Sequence, residues 1–144
     1  MKIVVYGEPT AQGRPRFSTA SGFARAYDPE KSRDAKDYIR LAAAEQMRGH
    51  EPIDGALALS VMVYRSTPKS MSGKKVALAE SGEIRPTTKP DLDNYVKLIK
   101  DALKSICWKD DSQIVEYVPP FGKYYSSKPR IEITVLPLGG DSDG

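Results

Sequence analysis

The segment KPDLDNYVKLIKDAL, residues 89–103, limits the possible folds more than any other stretch of the chain. Leu92, Tyr95, Val96, Ile99 and Leu103 fall at i, i+3, i+4, i+7 and i+11, which makes one apolar stripe on a helix. Asp93, Lys97, Lys100 and Lys104 follow the same spacing on another face. A helix over about 92–105 that is apolar on one side and charged on the other must lie against a partner layer. The chain supplies that layer. KIVVY (2–6) and the near-continuous apolar run ALALSVMVYR (56–65) read as strands, the second one buried. QIVEYVPP (113–120) and PRIEITVL (129–136) alternate and read as two more strands, expected to pair antiparallel.

Two further helices complete the pattern. Asp28 suits an N-cap and Pro29 the first helical position of a helix whose stripe is Ala35, Tyr38, Ile39 and Ala42, ending by Gly49. Ser72 should cap a short helix over GKKVALAES, followed by the loop GEIRPTTKP. Residues 7–28, with three glycines and two prolines, read as one long loop, and loops of that length are often functional. The order strand, helix, strand, helix, helix, strand, strand defines an α/β (α+β) class: a single-domain mixed β-sheet packed with helices on at least one face. The domain should cover 1–137, with a disordered tail over 138–144.

Composition narrows the function classes. No apolar stretch approaches the roughly 20 residues of a membrane helix, and the N-terminal apolar run is too short for a signal-peptide core. The expected location is cytoplasmic. The single cysteine, Cys107, excludes an internal disulfide and reads as a buried, inert thiol between Ile106 and Trp108. Net charge is +3, a mild lean toward polyanions, but the charge is sorted along the chain. GRPRF (13–17) and KYYSSKPR (123–130) are basic and free of acids, whereas acids gather at 91, 93, 110 and 111.

Asp91 and Asp93 sit two positions apart, which inside a helix points them about 200° apart. They can converge only if Asp91 lies outside the helix, a boundary that Pro90 favours by holding Lys89 off helical angles. Like charges so close raise each other's pKa unless a cation intervenes. A hard divalent ion, Mg²⁺ with Mn²⁺ able to substitute, takes few carboxylates plus waters and substrate phosphate. Asp110 or Asp111, in a turn before a strand, would complete a cluster of three. Zinc is poorly supported without HExxH or CxxC, and His50 beside Gly49 reads as a cap or surface residue. Each feature also has a plain reading: Asp91 as helix N-cap, Asp93 as a charge at the helix dipole, KDDS as a turn, the lysines as a solvated face. Spacing leaves both readings open.

The combination KPDLDNYVKLIKDALKSICWKDDSQIVE closely resembles the RusA family of Holliday junction resolvases. The matching residues are Asp91-Leu92-Asp93-Asn94, Lys97, and Asp110-Asp111-Ser112-Gln113-Ile114. GEPTAQGRPRF, SGEIRPTTKPDLDN and SSKPRIEITV extend the likeness over about residues 3–136. The resemblance implies a RusA-like, homodimeric, Mg²⁺-dependent endonuclease that nicks four-way junction DNA in recombination and repair. It implies Asp91, Asp93 and Asp111 as catalytic carboxylates holding the metal, with Asp110 the alternative or supporting ligand and Lys97 the essential lysine. The helix-to-turn spacing is one residue shorter than in the founding bacterial member, which bears on the choice between Asp110 and Asp111. Arg14, Arg16, Lys89 and Lys123 are the expected phosphate grips. No nucleotide cofactor is expected. The competing readings are a less selective metal-dependent nuclease of branched DNA and a non-cleaving DNA-binding module. A binder of a small phosphorylated ligand is disfavoured by the absence of a glycine-rich phosphate loop.

Overall fold

The apolar run at 56–65 becomes the ten-residue strand Leu57–Ser66, and the main sheet is built on it. The structure is a computed structural model that describes residues 1–13, 16–18, 25–27 and 30–139, with the backbone alone for 16–18 and 25–27. In chain order it has β1 (Lys2–Tyr6), β2 (Arg16–Ser18), β3 (Arg25–Tyr27), α1 (Glu30–Gln46) and β4 (Leu57–Ser66). These are followed by α2 (Gly73–Glu80), α3 (Leu92–Leu103), a 3₁₀ turn (Asp111–Gln113), β5 (Ile114–Tyr117), β6 (Gly122–Ser126) and β7 (Arg130–Pro137). The expected caps Asp28 and Pro29, Arg14, and tail residues 140–144 lie outside the described residues.

β7 runs antiparallel between β1 and β4, while β5 and β6 both run parallel to β4 along its other edge. The sheet is therefore mixed, as expected, but its pairing differs from the sequence reading. The strands near 113–120 and 129–136 do not pair with each other; β5 meets β4 near Leu57–Leu59, and β7 lies on β4's opposite edge. The physical reason is the proline pair at 119–120. Proline has no N–H for a ladder, so β5 stops, and the chain re-enters farther up the same edge as β6. That places a strand within the stretch 123–130 that was read only as basic. A second correction concerns the loop 7–28, which contains the antiparallel pair β2–β3. The third helix also ends earlier than 105, at Leu103, and Ser105 takes a left-handed φ of 76°.

The period of two along the strands decides the core. Leu57, Leu59, Val61 and Val63 of β4, Ile131, Ile133 and Val135 of β7, and Ile3 and Val5 of β1 share one sheet face. On it lie Ile39, Ala43 and Met47 of α1 and Tyr95, Val96, Leu98, Ile99, Ala102 and Leu103 of α3. Two of these side chains, Leu98 and Ala102, widen the α3 stripe expected from the sequence. Ser72 caps α2 as expected, accepting a hydrogen bond from the Lys75 N–H. Among the described residues no helix is long and apolar enough to cross a membrane.

Candidate active site

α3 enters from a loop braced against β4 and β6, and Asp91 sits at the boundary. Its backbone is extended (φ −68°, ψ 153°), the non-helical N-cap geometry that the i, i+2 argument requires. Its carbonyl accepts from the N–H groups of Asn94 and Tyr95, starting the helix. Its carboxylate makes no capping bond, so the plain reading of Asp91 as a side-chain cap is not realised. Asp93, in the first turn, and Lys97, one turn on, have no hydrogen-bond or ion-pair partner among the described residues. Because α3 packs its apolar side on the sheet, all three polar groups stay at the surface.

The two acids face adjoining hollows. Asp91 lines one of about 320 Å³ with Lys89, Pro90 and Asn94. Asp93 lines a larger one of about 510 Å³ with Lys97, Lys100, Tyr117 and Phe121, floored by Leu92 and Val96. There the Tyr117 and Phe121 rings pack 4.8 Å apart, and the Lys100 ammonium lies 3.2 Å from the Tyr117 hydroxyl. Uncommitted, solvent-facing carboxylate oxygens fit a hard divalent cation that keeps part of its water shell.

Asp110 and Asp111 are differentiated by the turn that carries them. Asp110 caps the 3₁₀ turn, accepting from the Ser112 N–H, and that bond holds its carboxyl below the usual carboxylate range. Asp111 instead accepts from the indole N–H of the buried Trp108 at 2.8 Å through one oxygen, which orients the carboxylate and leaves its other oxygen open. Gln113 ties the turn down. Its side-chain oxygen accepts from the N–H groups of Lys109 and Asp110, and its amide donates to the carbonyls of Ile53 and Gly55. The sequence marked Gln113 only as part of a motif; its bracing role depends on a segment 60 residues earlier.

This turn lies at the opposite end of α3 from Asp91. Ile114 pairs with Leu57 at the start of β4, and Trp108 bridges to Ile53 just before it. The head of α3 sits by the end of β4, where Arg65 reaches the Thr88 carbonyl. At 1.5 Å per residue the 12-residue helix α3 spans roughly 18 Å. Among the described residues no group of three His, Cys, Asp or Glu side chains gathers as a metal cage. Of the expected phosphate grips, Lys89 is exposed and unpartnered among the described residues, whereas Lys123 donates to the carbonyls of Thr88 and Pro90. Arg14 lies outside the described residues, and Arg16 is described only as a backbone position in β2.

The fold is a mixed sheet with helices packed on it, and Asp91, Asp93 and Lys97 stand exposed at the head of α3. The endodeoxyribonuclease RusA family matches residues 6–136, nearly the whole chain, and the protein belongs to it. It is an endodeoxyribonuclease of the crossover junction resolvase type, from a family that acts on Holliday junction DNA. The chain is also 49% identical over 137 residues, 94% of each chain, to the uncharacterized protein YqaN of Bacillus subtilis (strain 168). Family membership sets aside the non-cleaving module.

Proposed function

We propose that this protein resolves four-way DNA junctions by paired, symmetric nicks in the presence of Mg²⁺, with Mn²⁺ a substitute, acting in the cytoplasm without a nucleotide cofactor. Asp91 and Asp93 hold the metal, and the observation that carries this reading is that both carboxylates stand uncommitted at the head of α3. When bound, the metal lowers the pKa of an attacking water and neutralises charge on the phosphodiester. Lys97, one turn from Asp93, stabilises the negative charge that develops on the phosphate. Lys89, Arg14 and Arg16 grip backbone phosphates, which positions the DNA without reading its bases.

Asp111 is the third carboxylate of this proposal, with Asp110 left to cap its turn. Because Asp111 lies beyond the far end of α3 from Asp93, in this reading it is supplied by a second copy. A two-fold pairing that sets two α3 helices head to tail would bring each copy's turn to the other's helix head. The apolar floor of the larger hollow, with exposed Tyr117 in its lining, and the exposed Val115 of the same strand supply surface for such a dimer. A four-way junction has near two-fold symmetry, so two such sites suit its paired strands.

The test incubates the protein with a synthetic four-way junction, a flap and a linear duplex, with and without Mg²⁺. Symmetric nicks confined to the junction are expected, and Asp91→Asn should bind the junction normally and cut nothing. If Asp91→Asn cuts like the wild type, the assigned role is wrong. Equal cutting of the flap would instead support the less selective branched-DNA nuclease.

A further inference from the structure

Two cations close to the site are turned toward the protein. The core-facing row of β4 runs Leu57, Leu59, Val61, Val63 and then Arg65, so the alternation that fills the core puts an arginine at its rim. In the parallel register with β6, Lys123 is the partner of Val63, which sets it on the same face, one step from Arg65. Both reach the loop that feeds α3. Arg65 donates to the Thr88 carbonyl at 3.1 Å and reaches its hydroxyl at 3.4 Å. Lys123 donates to the same Thr88 carbonyl and to the Pro90 carbonyl, each at 3.1 Å. Glu8 secures the strand end beside them by accepting from the N–H and hydroxyl of Ser66.

We propose that Arg65 and Lys123 are positioning residues that fix the direction of Asp91, and that Lys123 is not a phosphate grip. The Pro90 carbonyl belongs to the peptide immediately before Asp91, and Lys123 holds it. The Asp91 carbonyl is held from the other side by the first turn of α3. With the flanking peptide planes pinned, only the side-chain torsions of Asp91 remain free. An ammonium with two of its three N–H groups on backbone carbonyls would have to release them to embrace a phosphate, whereas Lys89, between the two anchored carbonyls, has no partner among the described residues to release. Arg85 adds a third brace: it donates to the Lys123 carbonyl at 2.9 Å and lies 4.1 Å over the Tyr124 ring. This inference rests on the role proposed for Asp91.

The test compares full-length wild type with Lys123→Met, Lys123→Arg, Arg65→Gln and Lys89→Met. Three quantities are read: metal-free junction binding across a salt series, Mn²⁺ binding to the DNA-free protein by electron paramagnetic resonance, and single-turnover cleavage at saturating protein. Lys123→Met and Arg65→Gln should slow single-turnover cleavage roughly tenfold to a hundredfold, the scale of a small misplacement at a reacting centre. They should weaken Mn²⁺ binding and leave the salt slope of junction binding unchanged. Lys89→Met should instead reduce that slope by about 0.9, as the loss of one phosphate contact requires. A slope reduced by that amount in Lys123→Met, with its saturated cleavage rate intact, overturns the proposal. Should Lys123→Met fail to fold, Lys123→Arg still decides: it keeps the charge, so a phosphate grip predicts an unchanged rate and a positioning role a slower one. Failure of the function itself is distinguishable, because wild type would then not cut and no variant would be needed to see it.

Discussion

Gln113→Ala should be among the most damaging substitutions outside the apolar core. The side chain makes four hydrogen bonds of 2.7–2.9 Å, joining the 3₁₀ turn to the segment 53–55 before β4. Water can replace the partner at Lys109, Asp110 and Gly55, where the bonds are exposed, so about 0.5 kcal/mol each is expected there. The bond to the Ile53 carbonyl is partly buried, and leaving that oxygen unpaired costs about 1.5 kcal/mol. The total is about 3 kcal/mol, or a fall of about 10 °C in melting temperature for a domain of this size. Urea unfolding should show a lower midpoint with an unchanged slope, since the surface exposed on unfolding is the same. Gln113→Glu sharpens the test: it keeps the acceptors for the two N–H groups but sets a carboxylate against the carbonyls of Ile53 and Gly55. It should cost at least as much as alanine at pH 7. A loss below about 1 kcal/mol for alanine, or a milder effect for glutamate, would refute the bracing role.

Three further outcomes follow from charge and burial. Burial pushes the Glu132 carboxyl up, but its bonds to Arg130 at 2.6 Å and Lys2 at 3.1 Å outweigh this and leave it below the ordinary 4.5. Its stabilisation is therefore full above that value and is lost as pH falls through the lower folded-state value, so Glu132→Gln should cost about 1 kcal/mol at pH 7 and nearly nothing well into acid; a gap that persists at acid pH in denaturant titrations contradicts this. Burial also pushes the Cys107 thiol up to about 11, so an aromatic disulfide reagent at pH 8 should label it only after unfolding. Because the folded state keeps this proton between the ordinary 9.0 and about 11, stability should also fall with rising pH in that window. Prompt labelling of the native protein would show the thiol to be exposed.

The parts of the fold that were legible in the sequence are those set by local periodicity. The α3 stripe, the Ser72 cap and the buried strand β4 each follow from residues close together in the chain, and each forms within a few residues of where it was read. The pairing of β5 and β7 was not legible, because alternation says which face a strand shows and nothing about its neighbour. β6 was hidden for a related reason. GKYYS has no run of β-branched or aliphatic residues; it becomes a strand because β4 offers an open edge once the prolines have ended β5.

The site shows the same division. That Asp91 must leave the helix to escape an i, i+2 divergence is a local argument, and the backbone obeys it. The relation of Asp91 to Asp111 is not local. Twenty residues apart in the chain, the two acids read as one motif, yet 12 of the intervening residues form a straight rod packed along its length against the sheet. A rod held by Leu98, Ile99, Ala102 and Leu103 cannot bend to close that distance without opening the core, at a cost of about 1.5–3 kcal/mol for each large side chain exposed. The helix therefore acts as a ruler. It sets how far apart one chain carries its two sets of carboxylates, and in a head-to-tail pair of helices the same length would decide whether each turn meets the opposite helix head. An insertion of one residue in α3 would lengthen that ruler by only about 1.5 Å but rotate everything beyond it by about 100°, which is the more disruptive change for a site shared between two copies.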